Sequence, residues 1–202
     1  MATGPEFEKR FHALVLAAGS ATRFGGRKLL ADWNGTPLLH AALAAARAAP
    51  VDGVTVVTGA DVADVGACIA AFDPAMRQVH ASGYAEGMSA SLRTGIAALP
   101  SDTDAAFVFL GDMPRVPHAV LQALADAVRL GAPAAVPVFQ GRRGNPVMLA
   151  REVFADVAAL DGDTGARQIL QGLGSRVALV DSPDDGVLFD VDTPGDLAFR
   201  TP

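Results

Sequence analysis

The chain has 202 residues, half of them hydrophobic, and a formal net charge of −6 at pH 7. That length suits one α/β domain with a sizeable core, and the acidic balance argues against a polymeric nucleic-acid partner, whose phosphate backbone needs a basic face. No apolar run approaches the roughly 20 residues that span a bilayer, no secretory signal is visible, and the single cysteine, Cys68, excludes an internal disulfide framework or a cysteine-based zinc site.

In chain order, residues 1–10 read as a disordered leader or a vector-derived remnant, and 11–202 as a single domain. Phe11 to Ala17 is apolar and β-prone and runs into Ala18-Gly19. Pro37 opens a helix to about Ala49, its missing N–H falling where none is needed. Val54 to Thr58 is a strand closed by Gly59, and Asp61 to Phe72 is helical, with Cys68 as a buried structural thiol. Arg77 to His80 is a short strand, and Glu86 to Leu99 a helix stopped by Pro100. Ala105 to Leu110 is the most continuous apolar strand, leading into Gly111-Asp112-Met113-Pro114. A helix over Pro117 to Leu130 and a strand over Ala134 to Phe139 follow.

Strands alternating with helices of this length indicate βαβ units around a parallel sheet. Burial on both faces explains why the strands are apolar throughout. After Phe139 the rhythm breaks. A turn over Gln140 to Asn145 leads to a strand at Pro146 to Leu149, two short helices, and strands near Val177 to Val180 and Val187 to Asp190. This part reads as an appended region with an antiparallel strand, not a second domain.

The most informative segment is LVLAAGSATRFGGRKLL, a strand feeding a loop of small residues with Arg23 and Lys28. Open α/β sheets bind ligands at the carboxyl ends of their strands. Small residues let backbone N–H groups approach phosphate oxygens, and the two cations supply positive charge to a triphosphate, Arg as a planar fork and Lys as a point charge. Lys28 is followed by Leu29, so this is not a Walker A loop, and Gly-x-Gly-x-x-Gly is absent. A plain strand-to-helix loop with surface cations is the competing account.

Asp112, exposed at the end of the central strand, suits a Mg2+ ion that takes one or two carboxylates plus phosphate oxygens and water. Asp192, in Phe189-Asp190-Val191-Asp192-Thr193-Pro194, is a second candidate, with Asp190 in support. The alternatives are a turn former at Asp112 and an N-cap at Asp192. The four histidines, His12, His40, His80 and His118, have no metal-ligand spacing.

The first segment resembles the signature of the MobA-like nucleotidyltransferases: Leu-Ala-Ala/Gly-Gly, a short run of small residues, Arg-x-Gly, two residues, then Lys. It matches at Leu16-Ala17-Ala18-Gly19, Arg23-Phe24-Gly25 and Lys28; Ala21 departs from the usual Ser. Gly-Asp-Met-Pro and Asp-x-Asp-Thr-Pro recur in the same family, which implies metal binding by Asp112 and Asp192. Tyr84 to Leu92 resembles the segment that borders the nucleotide, implying roles for Gly87, Ser89 and Ser91, with Thr58 and Gly59 weaker candidates. Gly141 to Pro146 and Asp161 to Arg167 resemble segments of the cytidylyltransferase branch that acts on molybdopterin, which assigns Arg143, Gly144, Asn145, Asp163 and Arg167 to the acceptor.

The resemblance runs from about Phe11 to Leu197. It implies a three-layer, Rossmann-like fold of the GT-A type, with a nucleotide-binding part over about 11–139 and an acceptor-side part over about 140–202. It implies a cytoplasmic enzyme that uses Mg2+, or Mn2+ in its place, to move CMP from CTP to molybdopterin or molybdenum cofactor, with Arg23, Lys28 and Asp112 catalytic. A molybdenum hydroxylase would receive the product. Ala18, where the guanylyl branch carries Gly, leans toward CTP. Transfer of GMP or another nucleotide, or to a sugar or alcohol phosphate, is the nearer rival; a non-catalytic cofactor carrier is the farther one.

Overall fold

The computed structural model describes residues 9–198. The expected leader lies outside them except for Lys9 and Arg10. Those two are tied down: Lys9 Nζ donates to the Val128 carbonyl at 3.0 Å, and the Arg10 amide to Asp104 Oδ2 at 2.8 Å.

The chain runs β1 (Phe11–Ala17), β2 (Asp32–Trp33), β3 (Thr36–Pro37), α1 (Leu38–Ala48), β4 (Val54–Thr58), α2 (Val62–Phe72), β5 (Arg77–His80) and α3 (Met88–Ala97). It continues with β6 (Ala105–Leu110), α4 (Ala119–Arg129), β7 (Ala134–Phe139), β8 (Arg142–Arg143), β9 (Val147–Ala150), α5 (Phe154–Ala158), α6 (Arg167–Leu173) and β10 (Val177–Asp181). The main sheet has the order β10-β7-β9-β6-β1-β4-β5, with β8 paired to β7. Strands β5, β4, β1 and β6 are mutually parallel, as are β7 and β10, while β9 runs antiparallel to both β6 and β7. The α/β expectation therefore holds, and the segment read as appended supplies a strand in the middle of the sheet.

Side chains alternate across the pleat. Ala13, Val15 and Ala17 of β1 face a core formed with Leu39 and Leu43 of α1, Val65 and Ile69 of α2, and Leu121 and Leu124 of α4. Leu16 faces the other core, with Leu92 of α3, Val157 of α5 and Leu170 of α6. Helix α3 packs closely because residue 95 is glycine; a Cβ there would meet Leu14 and Val57 at 3.0 Å. Helices on both faces of the sheet make three layers.

Two local expectations are corrected. Val187 to Asp190 is not a strand: Asp185–Leu188 forms a 3-10 turn. The cause is Asp184, whose carboxylate accepts the Gly186 amide at 2.8 Å and closes an Asx turn. The helix expected from Glu86 begins at Met88, because Gly87 has φ 119° and a separate 3-10 turn spans Tyr84–Glu86.

Candidate active site

The strand order reverses between β1 and β6: from β1 the chain builds outward to β4 and β5, then returns to place β6 on the other side. Such a switch point leaves a crevice at the carboxyl ends of the two strands. The loop after β1 and the Gly111-Asp112 turn after β6 leave the sheet side by side, the Gly111 amide donating to the Leu16 carbonyl at 2.9 Å.

The loop after β1 folds on itself through positive φ values at Ala21, Gly25, Gly26 and Arg27. Arg23 and Lys28 are each placed by an apolar neighbour. Leu29 is buried in the main core beside Lys28. Phe24, beside Arg23, packs on a small cluster of Trp33, Leu38 and Val191, where Phe189 also sits 6.0 Å from the Trp33 ring. That cluster joins the loop, the β2–β3 hairpin and the segment carrying Asp190 and Asp192.

The result is a charge cluster drawn from three distant parts of the sequence. Lys28 Nζ donates to Asp112 Oδ2 at 2.7 Å and lies 3.7 Å from Asp192 Oδ1. Arg23 Nη1 donates to Asp192 Oδ2 at 2.7 Å. The Lys28 side chain is only 12% exposed, against 79% for Arg23. Asp190 stands near the same group; burial, then the negative charges of Asp112 and Asp192, push its carboxyl above the usual range. The N-cap account of Asp192 is replaced: Asp196 accepts from the Asp192 amide at 3.0 Å and the Thr193 amide at 2.6 Å, holding its own carboxyl below the usual range. Asp192 is left facing the two cations.

Among the described residues, no group of three or more His, Cys, Asp or Glu is arranged to hold a metal. Asp112 and Asp192 nevertheless offer two hard oxygen donors around the Lys28 ammonium, and Mg2+ sites commonly combine one or two carboxylates with phosphate and water. The donor set fits such an ion.

Two cavities open next to this cluster and share Leu16, Met88, Leu110 and Asp163. The first, about 420 Å³, is walled by Ala18, Gly19, Gly87, Ser91 and Asp112, and also by Ser20, Tyr84 and Glu86, the last two within the Tyr84 to Leu92 segment singled out from the sequence. The second, about 640 Å³, contains Arg143, Gly144, Asn145, Asp163 and Arg167 over an apolar floor of Leu92, Val108, Val147 and Leu170. Thr164 and Gln171 line it too, and Gln171 is the one the sequence reading missed, although Arg167, Leu170 and Gln171 follow the i, i+3, i+4 spacing of one helix face. Among the described residues, the side chains of Arg143 and Arg167 have no carboxylate partner.

Other candidates shape the cavities from behind. Ala17 is buried in β1. Thr58 is buried with its hydroxyl donating to the Val79 carbonyl at 3.3 Å, and Gly59 packs against Ala18. Ser89 is fully buried, its hydroxyl donating to the Asp161 carbonyl at 3.2 Å. Asp163 accepts the Met88 amide at 2.9 Å, satisfying a free donor at the start of α3. Arg23 and Lys28 line neither cavity; Lys28 meets the first through Asp112, while Arg23 is held by Asp192.

A three-layer open sheet, a glycine-rich loop at its switch point and a lysine–carboxylate cluster that walls one of two adjoining cavities through Asp112 define an α/β nucleotidyltransferase fold. The chain belongs to the family described as the MobA-like NTP transferase domain, whose model matches residues 13–178. It is similar to Rv0371c of Mycobacterium tuberculosis H37Rv, at 29% identity and TM-score 0.82, covering 94% of this chain and 96% of that one. A manganese complex of Rv0371c also superposes, with TM-score 0.78, 29% identity, and coverage of 94% and 97%. A 2-C-methyl-D-erythritol 4-phosphate cytidylyltransferase of Streptomyces avermitilis is 36% identical over 133 residues, 63% of this chain and 53% of that protein. The chain thus spans about half the length of the curated relatives it matches. No helix among the described residues is long and apolar enough to cross a membrane.

Proposed function

We propose that this protein is a cytoplasmic enzyme that transfers CMP from CTP to the terminal phosphate of molybdopterin or its molybdenum-loaded form, releasing pyrophosphate. The observation that carries the proposal is the pair of adjoining cavities: one walled by the loop after β1 and Asp112, the other by two arginines that have no carboxylate partner among the described residues, over an apolar floor. A nucleotide in the first and a phosphorylated acceptor with a bulky, partly apolar body in the second would meet at Leu16, Met88, Leu110 and Asp163. On this reading residues 11–139 serve mainly the nucleotide and 140–202 the acceptor.

An oxygen of the acceptor phosphate attacks the α-phosphorus of CTP. The bond from that phosphorus to the bridging oxygen breaks, and pyrophosphate leaves with the electron pair. The nucleophile is already an anion, so no general base is required, and catalysis is positioning and charge neutralisation. Lys28 neutralises the α-phosphate and Arg23 the departing pyrophosphate. Asp112 and Asp192 hold a divalent ion, Mg2+ or Mn2+, which supplies further positive charge to the phosphates. Ala18, Gly19, Gly87 and Ser91 shape the nucleotide side; Arg143 and Arg167 bind the acceptor's charge. The methyl of Ala18 favours cytosine over a larger base, an effect of about 1–3 kcal/mol at such a contact.

A second reading keeps CTP and replaces the acceptor by 2-C-methyl-D-erythritol 4-phosphate, the substrate named for the Streptomyces relatives. Pyrophosphate release tests both, with CTP, GTP and ATP each offered with molybdenum cofactor and with the polyol phosphate. Release with CTP and molybdenum cofactor supports the first reading; release with CTP and the polyol phosphate alone supports the second. GTP-dependent release moves the protein to guanylyl transfer. Silence in all arms, with cofactor retained by the protein, makes it a carrier for a molybdenum hydroxylase.

A further inference from the structure

The cations and carboxylates of the site satisfy one another. Lys28 reaches both proposed metal ligands, and Arg23 takes the remaining oxygen of Asp192. Two carboxylates gathered on one ammonium repel each other strongly unless a cation stands between them. Lys28 is the best-placed one, because its side chain is nearly buried and its backbone is pinned by Leu29 in the core.

Resting on the function proposed above, we infer that the Lys28 ammonium is an internal stand-in for the divalent ion, so that metal and triphosphate exchange places with the ion pairs in one coupled event. A divalent ion on Asp112 and Asp192 evicts Lys28 from its carboxylates. The evicted ammonium is then held near a second cation, which is unfavourable until an anion covers it. The α-phosphate is that anion. Arg23 follows the same logic with Asp192. Metal alone therefore binds the nucleotide-free protein weakly, and triphosphate alone binds weakly because its cations are occupied. By linkage, each must strengthen the other by the same factor.

The test reads Mn2+ binding, not turnover. Free Mn2+ is followed by its EPR signal in titrations of the nucleotide-free protein, comparing wild type, Lys28→Met, Asp112→Asn and Asp192→Asn. The nucleotide-free arm is decisive, because Mn2+ and CTP also bind each other in solution. Removing the stand-in should tighten Mn2+ binding in Lys28→Met at least tenfold while weakening CTP binding. Unchanged or weaker Mn2+ binding in that variant overturns the inference. If Asp112→Asn and Asp192→Asn lose Mn2+ in the same series, the metal site itself survives that outcome; if neither variant affects Mn2+, the metal assignment fails. Lys28→Gln, which keeps a polar but uncharged group on a side chain one carbon shorter, gives the same reading should Lys28→Met not fold, with melting curves run on every variant.

Discussion

A Cβ on Gly59 would stand 2.5 Å from the carbonyl oxygen of Ala18 and 2.7 Å from the Cβ of Tyr84. The end of β4 is thus pressed against two walls of the nucleotide cavity, and the Ala60 amide donates to the same Ala18 carbonyl at 3.1 Å. Gly59→Ala must push those walls apart. Overpacking of this kind costs about 1–3 kcal/mol, which in a chain of this size lowers Tm by roughly 2–12 °C. CTP affinity should fall about tenfold by calorimetry. An unchanged Tm together with unchanged affinity would show that the contact is relieved elsewhere.

Asp112→Asn and Asp192→Asn keep the shape of the side chain and remove its charge. Each should lower pyrophosphate release by about 10²–10³, the range found when a charge-stabilising group is lost. Asp112 should be the more sensitive, since its carboxylate is the less exposed and lies closer to Lys28. Circular dichroism should be unaltered; a fully active variant takes its residue out of the chemistry.

Arg143→Gln and Arg167→Gln probe the second cavity. Each removes an unpaired guanidinium assigned to the acceptor's charge, an interaction of about 1.5–3 kcal/mol. The KM for the acceptor should rise about tenfold or more while the KM for CTP stays within about twofold, since charged hydrogen bonds of that size act locally. A rise confined to CTP would reverse the assignment of the two cavities.

His12 lies far from the site, buried in β1 with Nε2 3.0 Å from Thr55 Oγ1. Burial, and secondarily the positive charge of Arg77, hold its pKa below the ordinary value, with Asp52 opposing weakly. The unfolded chain protonates His12 near pH 6.5 while the folded chain keeps it neutral. Its contribution to stability is therefore complete above about pH 6.5 and is eroded as the pH falls below that value. His12→Gln, which can keep the bond to Thr55, should show a shallower fall of Tm between about pH 7 and pH 5. Parallel curves for the two proteins would contradict this.

The parallel strands were legible because burial on both faces makes them plain apolar runs, and β1, β4 and β6 match their expected limits. The β2–β3 hairpin was overlooked although Asn34-Gly35, with φ values of 55° and 85°, is a standard two-residue turn signal. Val187 to Asp190 misled because its apolar pattern is satisfied by packing; Val187 is fully buried, while Asp184 turns the backbone. At the site, Arg23, Lys28 and Asp112 could be singled out from local composition. The pairing of Arg23 with Asp192 could not, because 169 residues separate them and it is the packing of Phe24, Trp33, Leu38, Phe189 and Val191 that brings them together. Ser89 is buried on the Asp161 carbonyl, and Asp163 caps α3 while lining both cavities; a polar side chain near a helix start can serve either end, which local pattern does not separate.

The position of β9 bears on how the chain is made. Synthesis proceeds from the N-terminus at about 5–20 residues per second. Until residue 150 has been added, β6 keeps an unpaired edge and β7 has only the two-residue β8 beside it, because β9 joins β7 to β6. The β1–β4–β5 half can assemble early, whereas the crevice floor at Val108 and Val147 closes only after three quarters of the chain exists. A nascent chain stalled short of that point would carry a complete phosphate loop beside a sticky, open strand, the kind of surface on which chaperones act.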